Sequence, residues 1–212
     1  MGVKVKLILV GLNPAVVKAW QNTCGGLENV SIVYDSIFNI PCDAIVSPAN
    51  SFGFMDGGLD YRISKFFGWG VQERLQRIIR TKHHGELLVG SAEIVNTDHP
   101  KIPYVISAPT MRVPMILKET VNPYLATRAA LLLVKYGALE SGKPVKEVVQ
   151  TIAFPGMGTG VGRVTPEVCA KQMRAAIDDV LLGKYKFPTS WFDVQQRHQL
   201  LYGEKTRDLQ FE

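Results

Sequence analysis

The chain has 212 residues, of which 46% are hydrophobic and 20% are charged, and its formal net charge is +5. This composition is typical of a globular protein, and the apolar runs are far shorter than the roughly 20 residues that span a bilayer. We therefore expect no membrane segment and a cytosolic location. The positive charge favours an anionic partner, although Lys and Arg are scattered and form no block of the kind that binds nucleic acid.

The first third of the chain alternates strand and helix signals. Residues 3–10 form an apolar run that predicts a strand, and Asn13 followed by Pro14 predicts the start of a helix that ends at Gly25. A second strand is predicted over Val30–Tyr34. A strand, a helix and a strand in this order predict a parallel crossover.

Residues 43–60 are the stretch around which the chain is organised. The apolar run over residues 44–46 is too short for a helix and predicts a central strand that is buried on both faces. Asn50 would lie just beyond its carboxyl end, which is where open α/β sheets bind ligands. Gly57 and Gly58 then allow backbone amides to approach a ligand before the next helix begins.

The middle of the chain supplies further α/β elements. The sequence predicts an amphipathic helix over residues 71–80, a strand that begins at Gly85, a strand over residues 104–109 and a helix over residues 122–136. Arg112, after the third of these, is a candidate phosphate ligand or a solvated side chain.

A second glycine-rich loop follows the predicted strand at residues 151–154. In residues 155–162 every second residue from Gly156 onward is glycine, and alternating glycines can turn successive amides inward to form a concave anion site. The glycine spacing fits neither the Walker loop nor the Rossmann fingerprint. A further helix is predicted from Thr165 to Gly183.

Residues 1–183 are predicted to form one domain. The remaining residues, 184–212, are predicted to form an appended helix from Trp191 and a polar tail that is liable to fray.

The two glycine-rich loops resemble the signatures of the macro domain, a module that binds ADP-ribose. Its first signature is an apolar strand that ends in Asn-Ala-Ala-Asn and leads into glycines. Here the tetrapeptide spans residues 47–50, with Ser47 in place of the first Asn, and it is followed by Gly57, Gly58 and Asp60. Its second signature is a loop like residues 155–162. The resemblance covers residues 30–183 and implies a three-layer α/β/α sandwich with a central mixed, mostly parallel sheet.

The resemblance also implies a ligand and its contacts. The ligand would be ADP-ribose or a related nucleotide derivative, which an ADP-ribosylated protein can carry. The residues that the resemblance places at this ligand are Asp35, Ser36, Ile37, Ser47, Ala49, Asn50, Gly57, Gly58, Leu59, Pro155, Gly156, Met157, Gly158, Thr159, Gly160, Val161 and Gly162.

Adenine recognition is where the sequence departs from the family pattern. The family places an Asp before an Ile at the position that is Ser36 here, followed by Ile37. Asp35 is adjacent, but in an extended segment a shift of one residue turns a side chain to the other face. Asp35 is therefore either the adenine ligand or only a turn residue.

Three functional hypotheses remain. The chain is either a non-catalytic ADP-ribose reader or a hydrolase of an ADP-ribose derivative, namely an ester to protein, an O-acetyl group or a terminal phosphate. In hydrolytic members, residues at the positions of Asn50 and Asp60 orient the distal ribose and activate water. Asn50 also fits a turn residue, and Asp60 fits a carboxylate that stabilises a helix N-terminus. A nucleic-acid-binding protein ranks third, because no basic stripe supports it.

We expect neither a cofactor nor a metal. Cys24, Cys42 and Cys169 have no metal-type spacing and are expected to be free thiols, and the adjacent His83 and His84 fit a solvated loop.

Overall fold

The structure is a computed structural model that describes residues 5–210. Six strands form one sheet: β1 Lys6–Gly11, β2 Val30–Tyr34, β3 Ala44–Ser47, β4 Glu93–Asn96, β5 Tyr104–Ser107 and β6 Thr151–Phe154. The helices are α1 Pro14–Cys24, α2 Gly58–Phe67, α3 Gly70–Lys82, α4 Asn122–Tyr136, α5 Pro166–Ala176 and α6 Trp191–Leu200. Residues 3 and 4 of the first predicted strand lie outside the described residues.

The sheet has the strand order β2-β1-β6-β3-β5-β4. Every neighbouring pair is parallel except β4 and β5, which are antiparallel at one edge. Strands β1 and β2 are adjacent and parallel with α1 between them in sequence, as the opening pattern predicts. The mixed, mostly parallel sheet is therefore confirmed.

Helices cover both faces of the sheet, which makes three layers. Along β1, Leu7 and Leu9 join the apolar cluster under α1, α4 and α5, whereas Ile8 and Val10 join the cluster under α2 and α3. This alternation follows from the two-residue period of side chains along a strand. Strands β1, β3, β5 and β6 are covered on both faces, and their central residues are apolar, as expected for a buried parallel sheet.

Two segments differ from the sequence predictions. The segment that begins at Gly85 is a loop, and the strand lies further along at Glu93–Asn96. Gly85 and Gly90 have φ of 95° and 96°, values that an extended strand does not adopt, so the two glycines bracket a turn. Helix α5 continues into a π-helical turn, Ile177–Leu181, and Gly183 follows with φ of 65° near the predicted end.

The C-terminal helix is present as predicted, and its side chains form hydrogen bonds with the described part of the tail. The Ser190 side chain accepts a hydrogen bond from Asp193 N and caps α6. The Gln199 side chain then exchanges two hydrogen bonds with the backbone of Arg207, and Gln195 accepts one from Leu209 N. These glutamines fold the tail back along α6. Within residues 5–210, no helix combines the length and apolar character needed to cross a membrane.

Candidate functional site

A cleft of about 360 Å³ lies at the carboxyl ends of the strands. The loops after β1, β2, β3, β5 and β6 line it, so the two glycine-rich stretches, which are about a hundred residues apart in sequence, face one cavity. This is the position that the general rule for open α/β sheets predicts. The volume suits a small molecule such as a nucleotide.

The loop after β6 presents free backbone amides to the cleft. Residues 158–162 all line it, and none of their N–H groups donates a hydrogen bond to another described atom. Two carbonyl groups of the loop, in contrast, accept hydrogen bonds within the protein. Gly158 O accepts from Val164 N, and Gly160 O accepts from Arg163 N. A run of amides without acceptors, with no opposing side-chain carboxylate in the loop, is an anion-binding feature.

The side chain of Asn50 holds the loop after β3 together. Its Oδ1 accepts hydrogen bonds from Phe52 N (3.1 Å) and Phe54 N (3.3 Å), and its Nδ2 donates to Phe54 O (2.7 Å). Asn50 also lines the cleft. Asn50 is therefore a turn residue, as one of the two interpretations of the sequence has it. The second hydrogen of Nδ2 has no acceptor among the described residues and is free for a ligand.

Replacing Asn50 should therefore weaken the fold as well as any ligand contact. We expect Asn50→Ala to lower the free energy of unfolding by about 1–3 kcal/mol, because two backbone amides of a partly buried loop lose their acceptor. Urea denaturation without ligand measures this effect. An unchanged unfolding free energy would show that the loop holds its conformation without the Asn50 side chain.

Asp60 is a buried carboxylate at the wall of the cleft. It lies in the first turn of α2 and is 9% exposed, and its Oδ1 accepts a short hydrogen bond from the hydroxyl of Ser47, the last residue of β3. Burial raises the pKa of Asp60 to about 6; the Ser47 hydrogen bond opposes this rise, and the nearby charge of Asp56 adds to it. A carboxylate that titrates near neutral pH is suited to accept a proton.

The end of β2 and the turn after it form another part of the wall. Asp35, Ser36 and Ile37 all line the cleft. Asp35 Oδ1 accepts from Ser36 N (2.6 Å) and from Asn39 Nδ2 (2.8 Å), so it stabilises the 3-10 turn Ile37–Asn39. Among the described residues, the second oxygen of Asp35 and the hydroxyl of Ser36 have no partner. Both remain available to a base.

Two of the predicted ligand residues do not reach the cleft. Ser47 is fully buried and uses its hydroxyl on Asp60, and Met157 is fully buried in the apolar cluster beneath its own loop. Neither lines the cavity. Both side chains are buried in the protein, and the assignment of these two residues to the ligand site stays a prediction. Arg112 is also turned away and forms a two-point ion pair with Glu86.

Other residues line the cleft although the sequence did not indicate them. The loop after β1 contributes Leu12, which is 53% exposed, and Phe38, Phe54 and Pro114 extend the apolar surface. Arg62, one turn into α2, is the only Lys or Arg among the described residues that line the cavity. These positions come from separate loops and carry no local sequence signal.

The cleft offers no thiol, imidazole or amine nucleophile from the described chain. Its lining residues include no Cys, His or Lys. The three cysteines are unpaired and buried elsewhere, and burial raises the pKa of Cys24, Cys42 and Cys169 to about 11, 12 and 12. They are structural thiols rather than reactive ones.

The macro domain family model matches residues 46–173, which include the end of β3, both glycine-rich loops and most of α5. The chain belongs to the macro domain family. An uncharacterized protein of Aquifex aeolicus is 37% identical over 145 residues, which is 68% of this chain and 78% of that protein. The macro domain-containing protein TTE0995 of Caldanaerobacter subterraneus is 33% identical over 157 residues, which is 74% of this chain and 83% of that protein.

Solved macrodomain structures share the fold. A mutant Oceanobacillus iheyensis macrodomain with ADPR superposes with a TM-score of 0.56 at 20% identity and covers 85% of this chain and 81% of that one. DarTG of Thermosipho africanus in complex with ADP-ribose gives 0.55 at 14% identity and covers 79% of this chain and 49% of that one. The three-layer architecture of this macro domain is thus confirmed. Strands β1 and β2 precede the matched residues, yet their loops supply Leu12 and Asp35 to the cleft.

Proposed function

We propose that this macro domain binds ADP-ribose in the cleft and hydrolyses an adduct at the distal ribose. The proposal rests on one observation: an anion-binding loop and a buried carboxylate lie at the same cavity. The free amides of residues 158–162 are suited to a diphosphate, and the loop of Asn50 and Asp60 lies at the same cavity with a carboxylate that titrates near neutral pH.

The cleft has few positive side chains with which to bind an anionic ligand. Three aspartates and one arginine line it: Asp35, Asp56, Asp60 and Arg62. A diphosphate would gain little from such a balance of side-chain charges, so backbone amides must supply most of its hydrogen bonds. Asp35 or Ser36 would then meet the adenine, with Leu12 and Phe38 against its face.

Asp60 would act on water rather than as a nucleophile. Its Oδ1 is occupied by the Ser47 hydroxyl, whereas its Oδ2 has no partner among the described residues. That oxygen can accept a proton from a water molecule whose oxygen bonds to the attacked carbon or phosphorus atom of the adduct, while Asn50 Nδ2 orients the ribose. The bond from that atom to the leaving oxygen then breaks, and the leaving oxygen takes the proton back from Asp60. Positioning and proton transfer of this kind contribute about 10²–10⁴ in rate.

Structures of related macrodomains support the assignment of these residues. Three Oceanobacillus iheyensis macrodomain structures carry substitutions at an asparagine, a glycine and an aspartate, whose order and spacing equal those of Asn50, Gly57 and Asp60. The glycine variant is a structure with ADPR. We extend the same positions to this chain as its ribose-binding loop.

The partners and the location follow from this function. An ADP-ribosylated protein is the macromolecular substrate we propose, and the cytosol is the proposed location. Residues 1–183 would be the binding unit, because the sheet and both apolar clusters lie within them, and residues 184–212 would be an appended extension.

Calorimetric titration with ADP-ribose, AMP and ribose 5-phosphate tests the binding half of the proposal. We expect ADP-ribose to bind more tightly than either fragment, since it engages both ends of the cleft. The affinity for ADP-ribose should change little with salt, whereas a nucleic acid that makes many phosphate contacts would lose affinity steeply. Absence of heat with ADP-ribose would refute the proposal.

Hydrolysis is tested with O-acetyl-ADP-ribose, ADP-ribose 1″-phosphate and ADP-ribosylated protein, each with and without EDTA. We expect at least one of these to be hydrolysed at a rate that EDTA leaves unchanged. A protein that binds ADP-ribose but is inert on all three would be a reader. Activity that EDTA abolishes would contradict the assigned role of Asp60.

The adenine end allows a separate prediction. Ser36→Asp should tighten ADP-ribose binding by about fivefold, because a charged acceptor makes a stronger hydrogen bond to the adenine amino group than a hydroxyl does. The comparison with ribose 5-phosphate, whose affinity should not change, isolates the base. If Ser36→Asp has no effect and Asp35→Ala abolishes binding, Asp35 is the adenine ligand instead.

A further inference from the structure

A small layer of buried polar groups lies beneath the start of α2. Ser47 donates its hydroxyl proton to Asp60 Oδ1, and both residues are buried. Ser64, one turn after Asp60, is also buried, but its hydroxyl donates to Met55 O. Asp60 is therefore held by one side-chain donor, and that donor comes from a strand rather than from its own helix.

A second hydroxyl faces the same layer from the neighbouring strand. Ser107 is the register partner of Ser47 in the parallel pair β3–β5. Both point toward α2 and α3, because Ile45 and Val105, two residues earlier on each strand, belong to the apolar cluster on that face. The Ser107 hydroxyl is buried and has no hydrogen-bond partner among the described residues.

An unsatisfied buried hydroxyl next to the serine that binds a carboxylate calls for a physical reason. Adjacent strands lie about 4.8 Å apart, so Ser47 can direct its hydroxyl hydrogen to either Asp60 or Ser107 while its oxygen stays in place. A hydroxyl donates one hydrogen bond and accepts others at the same time. Ser47 can thus donate to an ionised Asp60, or accept from a protonated Asp60 while it donates to Ser107.

We propose that Ser47 and Ser107 are a positioning pair that keeps Asp60 hydrogen-bonded in both of its protonation states. In the resting state, Ser47 donates to the carboxylate. When Asp60 takes a proton, the Asp60 hydroxyl donates to Ser47 and the Ser47 hydroxyl turns to Ser107. Ser47 keeps its own proton throughout, and only the direction of the hydrogen bond reverses.

This inference rests on the proposed role of Asp60 as a proton acceptor. Few charged groups lie close enough to affect the titration of Asp60. The charged group that acts on Asp60 is Asp56, in the loop before α2, which raises its pKa. Arg62, on the same helix, is exposed at the rim of the cleft. From β4, Glu93 is the register partner of Ser107 and forms ion pairs with Lys82 and His83 at the end of α3. Replacing either serine leaves all of these charged groups in place.

The test is a ¹³C NMR titration of the Asp60 side-chain carboxyl in the full chain without ADP-ribose. Ser47→Ala removes a donor to the ionised form, so the midpoint should rise by about one pH unit from the wild-type value near 6. Ser107→Ala removes an acceptor that serves only the protonated form, so the midpoint should fall, by about half a unit. The two variants therefore shift the titration in opposite directions.

Two further variants control the experiment. Ser64→Ala removes a buried hydroxyl from the same helix that does not touch Asp60, and it should leave the midpoint unchanged. Ser47→Thr keeps the hydroxyl, so its midpoint should stay near that of the wild type. If Ser47→Ala does not fold, Ser47→Cys takes its place in the titration.

The outcome separates this inference from the proposed function. No shift in Ser107→Ala, or shifts of the same sign in both serine variants, would overturn the positioning pair. Because the titration uses no ligand, it gives the same answer whether or not the protein hydrolyses ADP-ribose. A failed hydrolysis assay with opposite shifts would refute the enzyme and leave the hydrogen-bond pair in place.

Discussion

Gly160→Glu is expected to reduce ADP-ribose affinity by at least a hundredfold while the fold persists. A Cβ added at Gly160 meets no atom within 4 Å, and the residue lines the cleft, so a glutamate there has room to place its carboxylate near the free amides. There it would take the place of the diphosphate and repel its charge. Calorimetry with ADP-ribose measures the loss, and a thermal melt confirms folding.

The choice of glycine matters, because the alternating glycines differ in their surroundings. The sequence alone would make Gly158→Glu an equal test of anion binding by this loop. The structure shows that the two glycines are not equivalent. Gly158 has φ of 73°, and a Cβ there would lie 3.1 Å from Leu117 and Val164 side-chain atoms, so glutamate would disturb the fold. Gly70→Glu, at the start of α3 and outside the cleft, is the control for charge. Unchanged affinity in folded Gly160→Glu would exclude residues 158–162 as the phosphate site.

Asp60→Asn is expected to lower the rate of adduct hydrolysis by about 10²–10⁴ and leave ADP-ribose affinity within a few-fold of the wild type. Asparagine keeps the size of the side chain and can hydrogen-bond to Ser47, but it cannot accept a proton from water. The measurement is single-turnover hydrolysis of the preferred adduct at pH 7.5. Full activity in Asp60→Asn would show that another group activates the water.

The same substitution should make the protein more stable at neutral pH. The pKa of Asp60 is raised from 3.8 to about 6, so the native protein binds a proton more strongly than the unfolded chain does. The stability from this proton is present below pH 4 and is lost as the pH rises to about 6. Above pH 6 the buried charge costs on the order of 3 kcal/mol, and Asp60→Asn removes this cost.

Melting curves across pH 4 to 8 test this second effect of Asp60→Asn. At pH 8 we expect its melting temperature to exceed that of the wild type by roughly 6–12 °C, and at pH 4 we expect the two to be nearly equal. A difference that does not depend on pH would argue against titration of Asp60 in this range. Lower activity together with higher stability is the usual sign of a strained functional residue.

Much of the site could be predicted from the sequence because its signals are local. The β-branched run before Asn50 and the alternating glycines after Phe154 each specify a buried strand and the loop that follows it. In a parallel sheet such loops must share one edge, so the cleft follows from the strands alone. The helices were predictable for the same reason, since their caps and periodic apolar faces lie within short windows.

The remaining features depend on contacts between distant segments. No local pattern shows that the Ser47 side chain points to Asp60 rather than to a ligand, or that Leu12 faces the cleft. Strand β4 is short and lies at the sheet edge, where one antiparallel neighbour fixes it. The tail was expected to fray because it is polar, but Gln195 and Gln199 provide hydrogen bonds that composition alone does not reveal.

The place of β1 in the sheet has a consequence for biosynthesis. β1 is made first, yet one of its two neighbours is β6, with Lys6 paired to Thr151. At 5–20 residues per second, a ribosome needs roughly ten to thirty seconds to make the chain between these partners. During that time one edge of β1 stays open to the wrong strands, and such distant pairings also slow folding. The glycine-rich loop of residues 155–162 follows β6 directly, so a nascent chain completes the cleft only after most of the domain has left the ribosome.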